Sequence, residues 1–353
     1  MIYILPITAL LVSLAAYYPA LWFARRHKIL DKPDVRKLQK EHVPVFGGIV
    51  VLVGILVALQ LTRIWNSSYD YDYVTLMMVT LWLVGVTDDI RGLRPSLRFL
   101  IELGLIWLMI WYPNSSKNGV MISSFMGLWG IHTLTPQAAI PLTLIAGVGI
   151  INSINLIDGV DGYSSGFGIV TGAIFAAIFH HLGEIRLEVF CAVVSAALIP
   201  FWFHNVYGHR TKMFLGDGGS LVLGIAMAYA AFHLLDESCF THGVPDRVGF
   251  VALSLAMLSV PVFDTLRVMT ARMLSNESPF HPDKTHYHHV LIRLGLTHLQ
   301  TSTTLIGINT AIIGIWWLSY LLGAGIDLQF YIVLALGLCF AGSYYILDKK
   351  TKQ

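Results

Sequence analysis

The sequence predicts an all-α polytopic membrane protein with about eleven transmembrane helices, its N-terminus outside and its C-terminus in the cytoplasm. Of the 353 residues, 56% are hydrophobic and only 12% are charged, whereas soluble domains carry about 25% charged residues. The apolar residues form segments close to the roughly 20 residues that a membrane helix needs. The basic residues gather on alternate connections between these segments.

Polar connections separate the predicted helices. The first segment differs from a signal peptide, because it lacks a basic start and is followed by Arg25 and Arg26, which would hold its end in the cytoplasm. Pro261 is expected to kink the ninth segment, and residues 114–137 are expected to form a small hairpin. The segments run approximately over residues 2–24, 46–64, 71–87, 97–113, 138–156, 164–182, 187–206, 217–235, 248–268, 302–322 and 328–347.

The distribution of Lys and Arg sets the predicted orientation. With the N-terminus outside, all of these residues except Arg63, Lys117, Arg186 and Arg247 fall in cytoplasmic connections or at the C-terminus, as the positive-inside rule requires. Every polar cluster suited to chemistry falls on the same side. We therefore expect a single integral membrane domain with cytoplasmic active-site loops at 25–45, 88–97, 157–163, 207–217 and 267–300.

Two adjacent acids, Asp88 and Asp89, end the third predicted helix. Carboxylates there face the negative end of the helix dipole, which costs roughly 0.3 to 1 kcal/mol each, so a compensating partner is expected. Neighbouring residues point about 100° apart on a helix, which favours different roles for the two acids. They form either an Mg²⁺ or proton-accepting site, or a solvated helix end paired with Arg91 or Arg94.

Asn152, Asn155, Asp158 and Asp161 recur at every third position where the fifth predicted helix ends. While the chain stays helical, this spacing places them on one face, and the glycines that follow let the backbone turn away. They form either a ladder of hard oxygen ligands or a polar helix end rich in turn-forming residues. Four polar residues in register at a membrane exit favour the functional interpretation.

Glycines surround Asp217 at the start of the eighth predicted helix, in Gly216-Asp217-Gly218-Gly219. Glycines before a helix N-terminus can expose backbone N–H groups to an anion, but the Gly-Lys-Ser/Thr ending of a P-loop is absent. Asp217 would alternatively be an N-cap.

The longest inner loop carries Lys284 and three histidines, His286, His288 and His289. Clustered histidines can bind Zn²⁺, but no cysteine accompanies them, and the carboxylates elsewhere favour a hard metal such as Mg²⁺. The histidines and Lys284 could instead contact a pyrophosphate. The alternative is a solvated, disordered loop.

Taken in order, these segments resemble the polyprenyl-phosphate N-acetylhexosamine-1-phosphate transferase family, a group of integral membrane enzymes related to bacterial undecaprenyl-phosphate GlcNAc-1-phosphate transferases (glycosyltransferase family 4). The resemblance runs over residues 31 to 295. It rests on Asp88-Asp89, Asn-x-x-Asn-x-x-Asp-Gly-x-Asp-Gly from Asn152, Phe-x-Gly-Asp-x-Gly-Ser from Phe214, and Ser-Pro-Phe-x-Pro-Asp-x-x-His-x-His-His from Ser278.

The resemblance implies transfer of an N-acetylhexosamine-1-phosphate from a UDP-sugar to undecaprenyl phosphate or another polyprenyl phosphate. The products would be polyprenyl-diphosphate sugar and UMP, at the start of cell-wall or cell-surface polysaccharide assembly. It implies Mg²⁺ as cofactor, with Mn²⁺ as an alternative, and a multi-pass location in the bacterial inner membrane with a cytoplasmic active site. The expected partners are the two substrates and the lipid bilayer, with no nucleic acid; a homodimer is left open.

The resemblance also implies catalytic and metal-binding roles. Asp88 would deprotonate or position the lipid phosphate, with Asp89 and Asp158 as further catalytic residues. Asn155 and Asp217 would be Mg²⁺ ligands.

Substrate-binding roles follow from the same resemblance. Phe214 would stack on uracil, Asp161 would be a partner of the uridine, and Arg267 would lie close to the sugar. The remaining residues, which would bind the diphosphate, are Lys284, His286, His288 and His289.

The sequence departs from the family pattern at three positions. Gln39 stands where a His is common and His42 where a Pro is common, and Arg98 stands where a Lys is frequent. These differences bear on the acceptor or the sugar, not on the reaction class. The rival functions are a secondary transporter, which would bind near the bilayer midplane between paired repeats, and a polyprenyl-phosphate phosphatase.

Overall fold

Long apolar helices make up most of the chain in the computed structural model. It describes residues 3–31, 42–65, 71–112, 119–237, 240, 246–278 and 285–351, with the backbone alone at 63–65. The described helices are α1 (Ile4–Arg26), α2 (Gly47–Trp65), α3 (Asp72–Arg91), α4 (Pro95–Trp111), α5 (Pro136–Leu156), α6 (Tyr163–His181), α7 (Ile185–Tyr207), α8 (Gly216–His233), α9 (Phe250–Met257), α10 (Ser259–Leu274), α11 (Tyr287–Arg293), α12 (His298–Leu321) and α13 (Ile326–Lys350).

Short non-helical elements complete this part of the chain. Strands β1 (Leu30–Asp31) and β2 (Val43–Pro44) pair antiparallel. An antiparallel bridge joins Ser124 to Thr133 around a 3-10 turn at Leu128–Gly130. This bridge falls where the small hairpin was predicted.

Each predicted apolar segment coincides with one helix, or with the pair α9–α10 for residues 248–268. Among the described helices, α1, α3, α5, α6, α7, α12 and α13 are long and apolar enough to cross a membrane, and the bent pair would add one more span. The protein is thus an all-α polytopic membrane protein, and the count of eleven spans stays a prediction.

Helix α8 lies at the centre of the bundle. All of its residues from Gly218 to His233 are buried. A helix surrounded by protein can carry small and polar residues because its neighbours, not lipid, cover them.

Glycines bring α2 and α3 into close contact with the start of α8. A Cβ atom on Gly85 of α3 would lie 2.3 Å from the Gly218 nitrogen, and one on Gly48 of α2 would lie 2.5 Å from the Gly219 nitrogen. Only glycine permits such distances, because backbone atoms cannot move aside as a flexible side chain can. These crossings place the end of α3 against the first turn of α8.

Helices α9 and α10 meet at a bend of 77°, and the residue between them is Leu258. The predicted kink is therefore present, but the break comes before Pro261, which lies in the first turn of α10. Proline is tolerated there because the first N–H groups of a helix have no partner within it. Asn309 of α12 instead hydrogen-bonds the backbone groups at the break.

Candidate active site

A cleft of about 1040 Å³ lies at the end of the bundle where α3, α5 and α10 end and where α4, α8 and α12 begin. Predicted site residues from separate segments of the chain line this cleft. Their individual roles stay predictions. These lining residues are Asp88, Asp89, Asn155, Asp158, Asp161, Phe214, Asp217, His286, His288 and His289.

Asp88 and Asp89 point to different partners, as expected for neighbours on a helix. Asp88 accepts the Leu93 N–H at 2.7 Å and lies 3.4 Å from Arg98 Nη1. Asp89 accepts N–H groups from the first turn of α8, including that of Asp217 at 3.3 Å. The partner of Asp88 is therefore Arg98, not Arg91 or Arg94 as the solvated alternative proposed.

The glycine-rich turn holds a protein carboxylate in place of a bound phosphate. Gly216 has φ +74°, and a Cβ atom there would lie 2.6 Å from Asp89 Oδ2. The N–H groups considered for an anion thus bind Asp89, a favourable arrangement for a carboxylate at a helix N-terminus. The N-cap position belongs to Leu215, and Asp217 lies within the first turn, so the N-cap interpretation of Asp217 is wrong.

Asn152 and Asn155 lie on one face of α5. Their side-chain oxygens both accept from Arg98 Nη2, at 3.0 and 2.8 Å. The Asn155 nitrogen donates to Asp217 Oδ1 and to Ser220 Oγ, both at 2.8 Å. Arginine only donates hydrogen bonds and an ionised carboxylate only accepts them. The Asn155 oxygen, the atom that would bind a cation, is therefore turned to Arg98.

Asp158 lies just beyond α5, next to the start of α6. Burial raises the pKa of Asp158 to about 8, helped by the negative charges of Asp217 and Asp161. Hydrogen bonds from the Ser164 hydroxyl and the Gly216 N–H act in the opposite direction. A cation bound nearby would lower this pKa, because it would favour the charged form of the carboxyl group.

Asp161 joins two further segments at the other side of the cleft. Its Oδ2 lies 2.6 Å from Lys212 Nζ and 3.0 Å from His298 Nδ1. Burial alone would raise the pKa of Asp161, but these two partners outweigh it and hold the pKa below its usual value. Lys212 Nζ also lies 5.6 Å from the ring centre of Phe214. Asp161 and Phe214, both predicted to contact the nucleoside, are thus neighbours through Lys212.

The histidine segment closes one side of the cleft. The rings of His286 and His288 stack with centroids 5.9 Å apart, and His289 packs against His288 at 4.3 Å. Burial, reinforced by the two neighbouring histidines, lowers the pKa of His288 well below its usual value. A Cβ atom on Gly159 would lie 2.7 Å from His288 Nε2, so this glycine makes room for a neutral histidine.

Two predicted substrate-binding residues, Arg267 and Lys284, are not among the residues that line the cleft in the described part of the chain. Arg267 is buried behind the cleft wall, where its Nη2 donates to Asp264 Oδ1 and its guanidinium lies 3.5 Å from the Tyr344 ring centre. Asp264 in turn lies 3.0 Å from His286 Nδ1. Arg267 thus supports the histidine segment from behind, and its predicted contact with the sugar stays a prediction. Lys284 lies outside the described residues.

Sequence reasoning missed several residues that shape the site. Glu102 was detectable as an acid within an apolar predicted span, a placement that is costly and usually functional. Asn205 donates to the Met213 carbonyl and accepts the Gly162 N–H, and thus fixes two active-site loops together. Lys212 and His298 showed no local signal, because their shared partner Asp161 is distant in the sequence.

The donor atoms suit a hard divalent cation. Asp88 and Asp217 both lie within 3.6 Å of the same Arg98 nitrogen, and Asp89 and Asp158 are close by. Carboxylate oxygens are the usual ligands of Mg²⁺. Within the described ranges, however, no three His, Cys, Asp or Glu side chains already stand in metal-binding geometry.

Helical architecture and an acidic, histidine-lined cleft at one end of the bundle define a polytopic membrane protein with a polar site at that end. A model of glycosyl transferase family 4 matches residues 71–234. Over these residues the chain is similar to members of that family.

Named relatives are similar to the chain over most of its length. The chain is 28% identical over 274 residues to a probable undecaprenyl-phosphate N-acetylglucosaminyl 1-phosphate transferase of Bacillus subtilis (strain 168), which covers 76% of this chain and 71% of that protein. It is 28% identical to an undecaprenyl-phosphate alpha-N-acetylglucosaminyl 1-phosphate transferase of Escherichia coli (strain K12), over 78% and 72%. It is also 28% identical to a decaprenyl-phosphate N-acetylglucosaminephosphotransferase of Mycolicibacterium smegmatis, over 83% and 77%.

Proposed function

We propose that the protein transfers an N-acetylhexosamine-1-phosphate, with N-acetylglucosamine as the first candidate, from a UDP-sugar to a polyprenyl phosphate. The products are polyprenyl-diphosphate sugar and UMP. The observation that carries the proposal is the convergence of five predicted carboxylates and three predicted histidines in a single cleft at one end of the helical bundle. The named relatives support the same reaction. A transporter is not favoured, because its polar residues would lie near the bilayer midplane.

A lipid acceptor can reach this cleft from the side. Phe99 of α4 and Leu156 of α5 line the cleft, and both are exposed at the surface of the bundle. Leu100 and Leu266 are also exposed nearby on α4 and α10. An apolar surface next to a charged cleft suits a substrate with a hydrocarbon tail and a phosphate head, since the tail can stay in lipid while the head enters the cleft.

The proposed orientation places the cleft on the cytoplasmic side of a bacterial inner membrane. Arg25 and Arg26 end α1 at the cleft side of the bundle, and Lys349 and Lys350 end α13 there. Arg186 and Arg247, two of the exceptions to the basic pattern, contact groups at the opposite end: His233 and Gln329. This agrees with the positive-inside rule. Eleven crossings would result if α9 and α10 count as one span and the seven-residue α11 does not cross.

The proposed cofactor is Mg²⁺, held by Asp217 with Asp88 or Asp89 as the nearest further carboxylates. When bound, it would neutralise charge on the transferred phosphate group, which two anionic substrates in an acidic cleft require. Arg98 supplies a fixed positive charge beside the same carboxylates. Asn155 acts through its hydrogen bonds to Asp217 and Arg98.

In the proposed reaction, an oxygen of the lipid phosphate attacks the β-phosphorus of the UDP-sugar. The new bond joins this oxygen to the β-phosphorus, and the bond from the β-phosphorus to the oxygen it shares with the α-phosphate breaks. UMP leaves with both electrons of that bond. A phosphomonoester has its second pKa near 6, so the attacking oxygen is already mostly ionised at neutral pH. Asp88 is then better suited to position the acceptor than to take a proton from it.

The nucleotide end is assigned to the side with Asp161 and Phe214. Phe214 offers a ring for the uracil to stack on, and Asp161 lies beside it, held by Lys212. On the other side, the neutral imidazole of His288 can donate a hydrogen bond to a diphosphate oxygen without first losing a salt bridge. Binding an anion there would raise the pKa of His288, because its charged form would gain a partner.

The experiment is a transfer assay with the purified protein in lipid nanodiscs, UDP-N-acetylglucosamine, undecaprenyl phosphate and Mg²⁺. We expect UMP release that depends on the lipid phosphate, and a lipid product heavier by one N-acetylhexosamine phosphate. Asp217→Asn should reduce the rate at least a hundredfold. The matched control is Asp327→Asn, at the far end of the bundle, where Asp327 accepts the Trp129 N–H; it should keep the wild-type rate. UMP release without lipid phosphate would contradict the proposal.

A further inference from the structure

Glu102 is a buried carboxylate within the apolar helix α4, outside every motif of the resemblance, and its side chain is 0% exposed. A carboxylate is costly to bury unless it is paired and hydrogen-bonded. Its Oε1 accepts from Arg98 Nε at 3.0 Å, and its Oε2 accepts from the Asn152 side-chain nitrogen. Both partners face the active site.

Arg98 carries this interaction into the cleft. With its Nε held by Glu102, the rotation of the guanidinium plane is fixed. Its Nη2 then reaches the oxygens of Asn152 and Asn155, and its Nη1 lies 3.4 Å from Asp88 and 3.6 Å from Asp217. A single side chain thus touches both acidic segments and the asparagine face of α5.

The orientation of Asn155 depends on this arrangement. Because Arg98 only donates hydrogen bonds, it turns the Asn155 oxygen toward itself and leaves the nitrogen for Asp217 Oδ1, at 2.8 Å. If Arg98 rotated, the Asn155 amide could turn over, and its oxygen would then face the Asp217 carboxylate and repel it.

We propose that Glu102 is a positioning residue for the transfer reaction, because it fixes Arg98 and thereby the relative placement of Asp88, Asn155 and Asp217. The inference rests on the proposed function. The competing explanation is that Glu102 only links α4 to α5 through Asn152. A link of that kind would lower stability and leave the catalytic rate of the folded enzyme unchanged.

The test is a double-mutant cycle with Glu102→Gln, Arg98→Lys and the combined variant, in the nanodisc transfer assay. Gln keeps the size of Glu102 but offers one oxygen to two donors. Lys keeps the charge of Arg98 but lacks the planar fork. We expect each single variant to lower kcat about tenfold to a hundredfold, as for the loss of one charge-assisted hydrogen bond, with the KM for UDP-sugar changed less than about threefold. The combined variant should be scarcely slower than the slower single variant, because both changes remove the same interaction.

Two readouts separate the possible outcomes. The control Glu188→Gln removes a partly buried carboxylate that pairs with His180 at the far end of the bundle, and it should keep the wild-type kcat. If neither wild type nor this control forms lipid product, the proposed function fails. If both are active and Glu102→Gln keeps the wild-type kcat, the positioning role is overturned. If Glu102→Gln does not fold, Glu102→Asp, which keeps the charge but shortens the side chain, decides by the same criterion. The positioning role would also be overturned if the fold-losses in kcat of the two single variants multiplied in the combined variant.

Discussion

The break between α9 and α10 should depend on Asn309 of α12. The Asn309 nitrogen donates to the Met257 carbonyl at 3.1 Å, and its oxygen accepts the Val260 N–H and the Ser259 hydroxyl, both at 3.0 Å. Asn309→Leu removes all three bonds without changing the side-chain size greatly. Hydrogen bonds between membrane helices contribute about 0.6 kcal/mol each on average and up to about 1.7. The expected loss of stability is therefore about 2 to 5 kcal/mol.

Asn309→Leu should also lower the transfer rate, because Val268, Met269 and Arg272 of α10 line the cleft. The assay is equilibrium unfolding of purified protein in a fixed detergent, together with the transfer rate of the folded fraction. The control is Thr310→Val, which removes a neighbouring exposed hydroxyl that bonds only within its own helix, to the Ile306 carbonyl. Equal stability and equal rate for Asn309→Leu and this control would refute the reasoning.

Three further predictions concern the cleft itself. Gly159→Ala should displace the His288 ring, 2.7 Å from the added methyl group, and lower the transfer rate at least tenfold; Gly342→Ala, which meets open space, should leave the rate unchanged. Asp158 has a folded-state pKa of about 8, above its ordinary 3.8, so the native state keeps a proton that the unfolded chain has lost, and stability should fall as pH rises from 4 to 8. Unfolding measured across this range should show a steeper fall in wild type than in Asp158→Asn, because the variant lacks this one titrating group; parallel curves would contradict it. Lys212→Met removes a partly exposed ion pair worth about 1 kcal/mol and should raise the KM for UDP-sugar about fivefold with little change in kcat; an unchanged KM in steady-state kinetics would count against the nucleotide assignment.

Local patterns in the sequence predicted the helices well, because apolar runs and polar interruptions are properties of neighbouring residues. The bend in α9–α10 was also predictable from Pro261, although its position was not. The number of membrane crossings could not be predicted from local patterns. Helix α8 is enclosed by protein, so its composition does not report whether lipid surrounds it.

The residues of the site were easier to predict than their partners. Spacing by three placed Asn152 and Asn155 on one face of α5, and the structure has both reaching Arg98. No local pattern could show that Asp89 binds the first turn of α8, since that contact joins residues 128 positions apart. The surroundings of Arg267 were not predictable from a local pattern either, because it lies behind the histidine segment, bonded to Asp264 and Thr285.

The central claim is that the cleft transfers a sugar together with its phosphate, and the fate of the β-phosphorus tests it most directly. UDP-N-acetylglucosamine labelled at that phosphorus would be incubated with the reconstituted protein and undecaprenyl phosphate, and the lipid and nucleotide products separated. We expect the label to enter the lipid while unlabelled UMP is released. Labelled UDP in solution, with a lipid product that carries no label, would contradict it.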